Sequence, residues 1–290
     1  MIIMLKHSIA CLALLGVFSG GVVNCLSMIR TLGLPCVLVF LSGCVATSYN
    51  PATERQETLF ISTEREIALG GSVAKRVEEE FTLIRDPELL QQLDRVGARI
   101  AAVADRKDLS YRFTIVEMPE DEPNAFALPG GPVYVTKSLF KLVQSDDELA
   151  AVLAHEVGHV VAKHTVKRIQ GAVGLQLLQI LAVGSGAADA RTSQGIDLAF
   201  ASLLTEYSQS DELEADRLSA KYLRKAGYNP GAAITFMERL RDYTRKQPLH
   251  QYSYFRTHPH FSDRIGLLRQ KSEGHITFDD YINRKNETGS

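Results

Sequence analysis

His155-Glu156-Val157-Gly158-His159 is the stretch on which the reading of this chain turns. On a helix, residues four apart share one face, so both imidazoles reach a single metal ion. Glu156 lies between them, where a carboxylate can take a proton from water held at that metal. A Zn²⁺ ion lowers the pKa of such a water to about 7, which supplies hydroxide at neutral pH. The pattern predicts a zinc peptidase site. His-x-x-x-His also arises by chance on solvated helices, but its flanks here speak against that. Ser145 followed by Glu148 is a capping-box signature, which starts a helix at Asp146-Asp147-Glu148. Leu149, Val152, Leu153, Val157 and Val160 then recur at helical spacing, as on a mostly buried helix. Two histidines and a glutamate on such a helix are costly unless something satisfies them, and a bound metal does.

A catalytic zinc site usually takes three protein ligands and leaves the fourth position to water. The metzincin pattern supplies the third as a histidine six residues past the second, with a glycine three past it. Thr165 and Ala162 hold those positions, so that class is excluded. His164 is one residue out of register and reads as a surface or helix-end histidine. A carboxylate on a second helix is the alternative. Ser210 to Asp216 opens one, with Leu213, Leu218, Ala220 and Leu223 as apolar positions and Gly227 and Pro230 as stops. Glu212 and Asp216 share a face, so Glu212 can bind the metal while Asp216 orients a ligand histidine. Glu214 is the competing candidate. Taken alone, the acidic run reads as ordinary decoration of a helix N-terminus, where carboxylates are favourable.

Further stretches carry a resemblance. The His155 to His159 and Glu212 to Asp216 motifs are joined by Asn124 to Val135, by His258-Pro259 and by Arg264-Ile265. Together they resemble the peptidase family of HtpX-type membrane proteases and CAAX prenyl proteases, and within it the small, single-domain LoiP-like lipoproteins. The similarity spans Ser62 to Lys271. It implies one gluzincin-type, zincin-like domain, α+β and mostly helical, with a small sheet beside the active-site helix. It also implies one Zn²⁺ held by His155, His159 and Glu212, with Glu156 as general base and later proton donor. His258 and Arg264 would sit near the substrate carbonyl and stabilise the developing oxyanion, the alternative for His258 being a capping or structural role. Asn124, Ala125, Phe126, Gly130 and Gly131 would belong to an edge-strand segment above the cleft. His260 is given no role.

The N-terminus carries a second signal. Met28 to Cys44 reads as a compact secretory signal, with Arg30 as its basic region and Leu34 to Leu41 as a short apolar run. Leu41-Ser42-Gly43-Cys44 matches a bacterial lipobox, so Cys44 is the expected lipid anchor to a membrane. Residues 1–27 add Lys6 and a second apolar stretch from Ile9 to Val23. Either translation starts at Met28 or the segment is an uncleaved anchor. All four cysteines (Cys11, Cys25, Cys36, Cys44) lie at or before the lipobox, which leaves no disulfide framework for the mature chain. Residues 1–43 contain Lys6 and Arg30 and no acidic residue, so the 32 basic side chains become 30 against 34 acidic ones. That balance gives no support for a nucleic-acid partner. The absence of Trp and of any repeat period argues against a propeller or solenoid. With Ser290 as the last residue, the helical-repeat domain that some relatives carry is not expected.

The chain divides into residues 1–43 (signal), 44–61 (lipidated N-terminus and polar linker), 62–272 (peptidase domain) and 273–290 (polar tail). A helix starts at Ser62 or Thr63, with Glu66 completing a capping box, and another starts at Asp86-Pro87. Tyr111 to Glu117 and Pro132 to Thr136 read as strands. The turn-rich Asp121 to Gly131 segment can present an exposed edge to which an extended peptide adds through backbone hydrogen bonds. Gly171 to Ala188 reads as a helical flap or hairpin more than as a membrane span, and Gly184 to Gly195 as a candidate lid. The expected function is that of a zinc endopeptidase on the periplasmic side of a bacterial membrane, acting on unfolded or misassembled envelope proteins. Val45 carries no aspartate-type retention signal, which points to the outer membrane. Regulatory envelope proteins are candidate partners. A latent peptidase acting as a chaperone-like assembly factor is the alternative.

Overall fold

Side-chain caps mark where the main helices begin. Ser62 accepts from the Arg65 amide and opens α1, Thr63–Glu80. Asp86 accepts from the Glu88 and Leu89 amides and opens α2, Pro87–Val103, with Pro87 in the first turn, where its missing N–H costs nothing. Thr136 caps α3, Lys137–Leu142, and Ser145 caps α4, Asp146–Val161. Helices α5, His164–Leu181, and α6, Ala190–Leu203, follow and pack on each other as a hairpin. Ser208 caps α7, Gln209–Ala226, which ends on Gly227 in the left-handed conformation (φ 74°) that glycine adopts without strain. Last come α8, Ala232–Thr244, the short α9, Tyr254–Thr257, and α10, Phe261–Ser272. These elements belong to a computed structural model that describes residues 47–50, 55–58, 61–181, 190–246 and 250–272.

The strands are few and short. β1, Thr47–Asn50, pairs with β2, Arg55–Thr58, as an antiparallel hairpin. A four-stranded sheet contains β3, Thr82–Leu83, β4, Arg112–Glu117, β5, Ala125–Ala127, and β6, Pro132–Thr136, in the order β3-β4-β6-β5. β4 and β6 run parallel, while β5 is antiparallel to β6 and forms the edge. The two-residue period sends Ile115, Ala125, Ala127, Val133 and Val135 into a core shared with α2, α4, α7, α8 and α10. Val116, Phe126, Leu128 and Tyr134 enter a second core with α1, the start of α5 and α6. The expected α+β, mostly helical architecture with a small sheet is what the structure has.

Helix α4 runs between these layers and is buried from Glu148 through Val161. It packs most extensively on α7. The two helices meet at Gly158, where an added Cβ would lie 2.9 Å from the Ala215 carbonyl oxygen. Only a residue without a side chain allows this approach, and the approach brings the carboxylates of α7 up to the histidines of α4.

Several expectations change. The linker expected over Tyr49 to Glu57 instead contributes to the β1–β2 hairpin. Glu66 does not complete a capping box: it is buried, accepts from Arg106 Nη1 at 2.8 Å and accepts from the Gly130 amide at 3.3 Å. Its partner lies 40 residues along the chain, beyond the reach of a local pattern. Residues 190–195, expected in a lid, belong to helix α6, whereas 182–189 lie outside the described residues. So do Cys44, the signal segment and the tail. Among the described residues no helix is long and apolar enough to cross a membrane.

Candidate metal centre

Four buried side chains converge between α4, α7 and the segment after α9. His155 Nε2 and His159 Nε2 stand 3.0 Å apart on the inner face of α4. Glu212, from the first turn of α7, sets Oε1 3.3 Å from His159 Nε2 and Oε2 3.5 Å from His155 Nε2. His258 brings Nδ1 to 3.0 Å from Glu212 Oε1 and 3.4 Å from His155 Nε2. All four ligand atoms lie within 4.8 Å of one another. Donors about 2.0–2.2 Å from a tetrahedral cation stand about 3.4 Å apart, and these separations match that figure.

Proton positions make the same point. His155 Nδ1 donates to Asp216 Oδ1 at 2.9 Å, so a neutral His155 turns an Nε2 lone pair toward the cluster. His258 Nε2 lies 3.4 Å from the Ala125 carbonyl and Nδ1 lies 3.0 Å from Glu212 Oε1, so the tautomer with hydrogen on Nε2 turns an Nδ1 lone pair toward that carboxylate. Lone pairs gathered around Glu212 repel unless a cation lies among them, so the donor set fits a metal ion. Without one, a proton serves: burial and the Arg264 charge disfavour an imidazolium at His155, but hydrogen bonds to Asp216 and Glu212 outweigh them and raise its pKa to about 9. Burial holds His159 well below the ordinary histidine value. Glu212 and Asp216 are buried as well, yet both stay below the ordinary carboxylate range, chiefly because Arg264 stands beside them.

Arg264 is fully buried. Its Nε and Nη2 donate to the two oxygens of Asp216 at 2.8 and 2.9 Å, and Nη1 donates to the His258 carbonyl at 3.2 Å. Nη1 also lies 2.6 Å from Glu212 Oε2, a charge contact without the alignment of a hydrogen bond. The resemblance implied a place beside the substrate carbonyl. Here the guanidinium contacts the carboxylates of Asp216 and Glu212 around the candidate ligands. His258 likewise stands among the ligand atoms themselves. Glu156 is fully buried, neither of its oxygens has a hydrogen-bond partner, and Oε1 lies 3.6 Å from His258 Nε2. A buried carboxylate without partners is rare and points to a group that the reaction uses.

Three site neighbours escape the sequence reading. His164, expected as a surface or helix-end histidine, is the first residue of α5 but is buried, with Nδ1 3.0 Å from His159 Nδ1. Lys163, at φ 57°, breaks the helix and turns residue 164 back toward the centre, which a register counted along one continuous helix misses. Glu214, the competing ligand candidate, faces His164 and not the cluster. Tyr207 stacks on His159 with ring centroids 3.9 Å apart, and burial lifts its pKa to about 12. Tyr254 stacks on His258 at 4.3 Å.

The edge strand is less open than expected. The Ala125 carbonyl meets His258, and the Ala127 carbonyl accepts from Thr165 Oγ1 at 3.1 Å. Asn124 ties the strand to the C-terminal segment, donating through Nδ2 to the Tyr252 carbonyl at 2.6 Å. Phe126 points into the core and stacks on Tyr134. Gly130 and Gly131 form the turn into β6, with φ of 76° and 116° and no room for a Cβ against Ile67 and Ser110.

Residues 87–272 match the family profile of Peptidase family M48. The chain belongs to this family. The family read from the motifs is therefore the one found, and M48 is a family of metallopeptidases. The M48 chain is 29% identical over 231 residues to the beta-barrel assembly-enhancing protease of Yersinia pestis, covering 73% of this chain and 45% of that protein. It is 31% identical over 225 residues to the mitochondrial metalloendopeptidase OMA1 of Schizosaccharomyces pombe, covering 77% and 65%. With metalloprotease LoiP of Escherichia coli strain K12 the identity is 26% over 242 residues, covering 81% and 93%. The M48 chain thus spans about half the length of its beta-barrel assembly-enhancing relatives and nearly all of LoiP.

Proposed function

We propose that this chain is a zinc endopeptidase that hydrolyses peptide bonds in unfolded or misassembled envelope proteins. The observation that carries the reading is the fully buried Glu156, whose oxygens have no hydrogen-bond partner, beside a converged set of two histidines and a glutamate. Zinc held by His155, His159 and Glu212 would polarise a peptide carbonyl and make water acidic enough to ionise near neutral pH. Glu156 accepts the proton of the attacking water on a carboxylate oxygen and returns it to the departing amine nitrogen. Asp216 and Arg264 keep the ligand side chains in place through each step. An extended substrate adds to the outer edge of β5, where backbone hydrogen bonds select weakly among side chains.

Anchorage through Cys44, a periplasmic location and regulation by other envelope proteins complete the proposal. The lipobox supports the first two, and the beta-barrel assembly-enhancing protease and LoiP support an envelope setting by likeness. The test compares casein cleavage by the full chain and its Glu156→Gln variant, with zinc content measured in both. Cleavage by the wild type alone, with zinc in both, is the expected result. A folded wild-type protein without zinc overturns the reading.

His258 favours a second reading, a latent peptidase with a chaperone-like role. Its Nδ1 lies among the ligand atoms and its Nε2 covers the Ala125 carbonyl, so one ring blocks both the metal and the substrate edge. On this reading wild-type protein binds zinc without cleaving casein, and His258→Ala cleaves it. If His258→Ala is less active than the wild type, the side chain assists the reaction and the latent reading falls.

A further inference from the structure

His164 lies outside every motif that carries the resemblance and outside the set of four candidate ligands. It is nonetheless buried against one of them. We infer that His164 is a positioning residue that fixes the tautomer and ring orientation of His159, with Glu214 and Asp211 setting its own. The inference rests on the metal-centre reading above.

The geometry leaves few arrangements of protons. His159 is fully buried, and its Nε2 faces His155 Nε2 at 3.0 Å and Glu212 Oε1 at 3.3 Å. That nitrogen has to offer a lone pair if it is to hold a metal, so the proton of a neutral ring belongs on Nδ1. His159 Nδ1 faces His164 Nδ1 at 3.0 Å, and two ring nitrogens at that distance share one hydrogen. Which of them carries it is decided at the far side of the second ring. There His164 Nε2 lies 3.2 Å from Glu214 Oε2 and 3.4 Å from Asp211 Oδ1, two carboxylate oxygens placed to accept. With a metal on His159 Nε2, this geometry lets His164 turn an Nε2–H to those carboxylates and accept from His159 Nδ1–H through its own Nδ1. A neutral ring of the opposite tautomer would put hydrogen on His159 Nε2 and remove the ligand atom.

The two ligand histidines are thus held by different devices. His155 donates directly to Asp216, whereas His159 reaches its carboxylates through a second ring. The break at Lys163 makes this possible, because it brings residue 164, five positions after 159, back over His159. Tyr207, stacked on His159, limits the ring's freedom to tilt but has no bearing on its proton. A merely well-packed buried histidine would tolerate any side chain of similar shape. A positioning residue needs an acceptor at the Nδ1 position.

Full-length His164→Asn and His164→Leu separate these roles when zinc affinity is measured by chelator competition and the metal-free melting temperature is recorded. Asn places Oδ1 close to the position of Nδ1 and still accepts from His159. It is expected to bind zinc within a few-fold of the wild type. Leu fills similar space without an acceptor and is expected to bind zinc about 10- to 100-fold more weakly, with its metal-free melting temperature unchanged. Equal weakening in both folded variants, or undiminished binding by Leu, overturns the inference. Should Leu fail to fold, nitrogen-15 spectra of the zinc-loaded wild type decide: hydrogen on His159 Nδ1 and His164 Nε2 is expected, and the reverse pair overturns it. Wild-type protein that binds no zinc removes the metal-centre reading itself, while zinc binding without peptide cleavage leaves this test fully readable.

Discussion

Asp216 Oδ1 accepts from His155 Nδ1 at 2.9 Å, and the same oxygen accepts from Arg264 Nη2 at 2.9 Å, all three side chains being buried. One carboxylate oxygen therefore orients a candidate metal ligand and neutralises a buried guanidinium. Asp216→Ala removes both functions. Stability should fall by about 3–5 kcal/mol, the usual cost of stranding one partner of a buried ion pair. Zinc affinity should fall about 10- to 100-fold. Asp216→Asn keeps an acceptor and should lose less affinity. Denaturant midpoints and chelator competition check both figures, and an unchanged midpoint in Asp216→Ala refutes the first.

Glu156 has no hydrogen-bond partner although it is fully buried. Groups held in that condition cost stability and persist for what they do. Glu156→Gln should therefore keep its zinc, melt at or above the wild-type temperature when metal-free, and cleave casein about 10²–10⁴-fold more slowly. A marked fall in melting temperature would show instead that the carboxylate holds the fold together.

Gly158 sits where α4 and α7 cross. An alanine would gain about 1 kcal/mol in helix propensity. Its Cβ, however, would meet the Ala215 backbone at 2.9 Å, and overpacking of that kind costs about 1–3 kcal/mol. Gly158→Ala should lower the melting temperature and weaken zinc binding, because relief requires α7 to carry Glu212 away from the histidines. A more stable variant with intact zinc binding would contradict this.

His155 gives a pH signature. Its pKa is about 9 in the metal-free fold, above the ordinary value of 6.5. Because the folded value is the higher one, the stabilisation it brings is complete below pH 6.5 and is lost as pH climbs through 9. A metal has to displace that proton. Zinc affinity should therefore rise about tenfold per pH unit between 6.5 and 9 and level off above. A flat profile in chelator competition over this window would show that His155 is unprotonated without metal.

Much of the framework is legible from local pattern. Helices α2 and α4 announce themselves through caps and apolar spacing, α7 through apolar spacing and its Gly227 stop although its cap is Ser208 and not Ser210, and β6 through a run of β-formers bounded by Gly131 and the Thr136 cap. The pairing of His155 with His159 needs only helical geometry. What escapes depends on distance along the chain or on a broken period. β5 is three residues long, too short to show alternation. Glu66 finds Arg106, and Arg264 finds Asp216 48 residues away, through tertiary folding alone. His164 is hidden by the positive φ of Lys163, and Tyr207 by its position between two helices.

The outward carbonyls of β5 are occupied, that of Ala125 by His258 and that of Ala127 by Thr165. An unguarded strand edge is a template for any passing strand, including one from another copy of the same chain. Here the edge beside the metal centre is plugged by side chains of the centre's own surroundings. A stray strand gains little there unless it first displaces both plugs, so the feature that a substrate would have to move aside on the proposed reading also guards the edge against pairing with another copy.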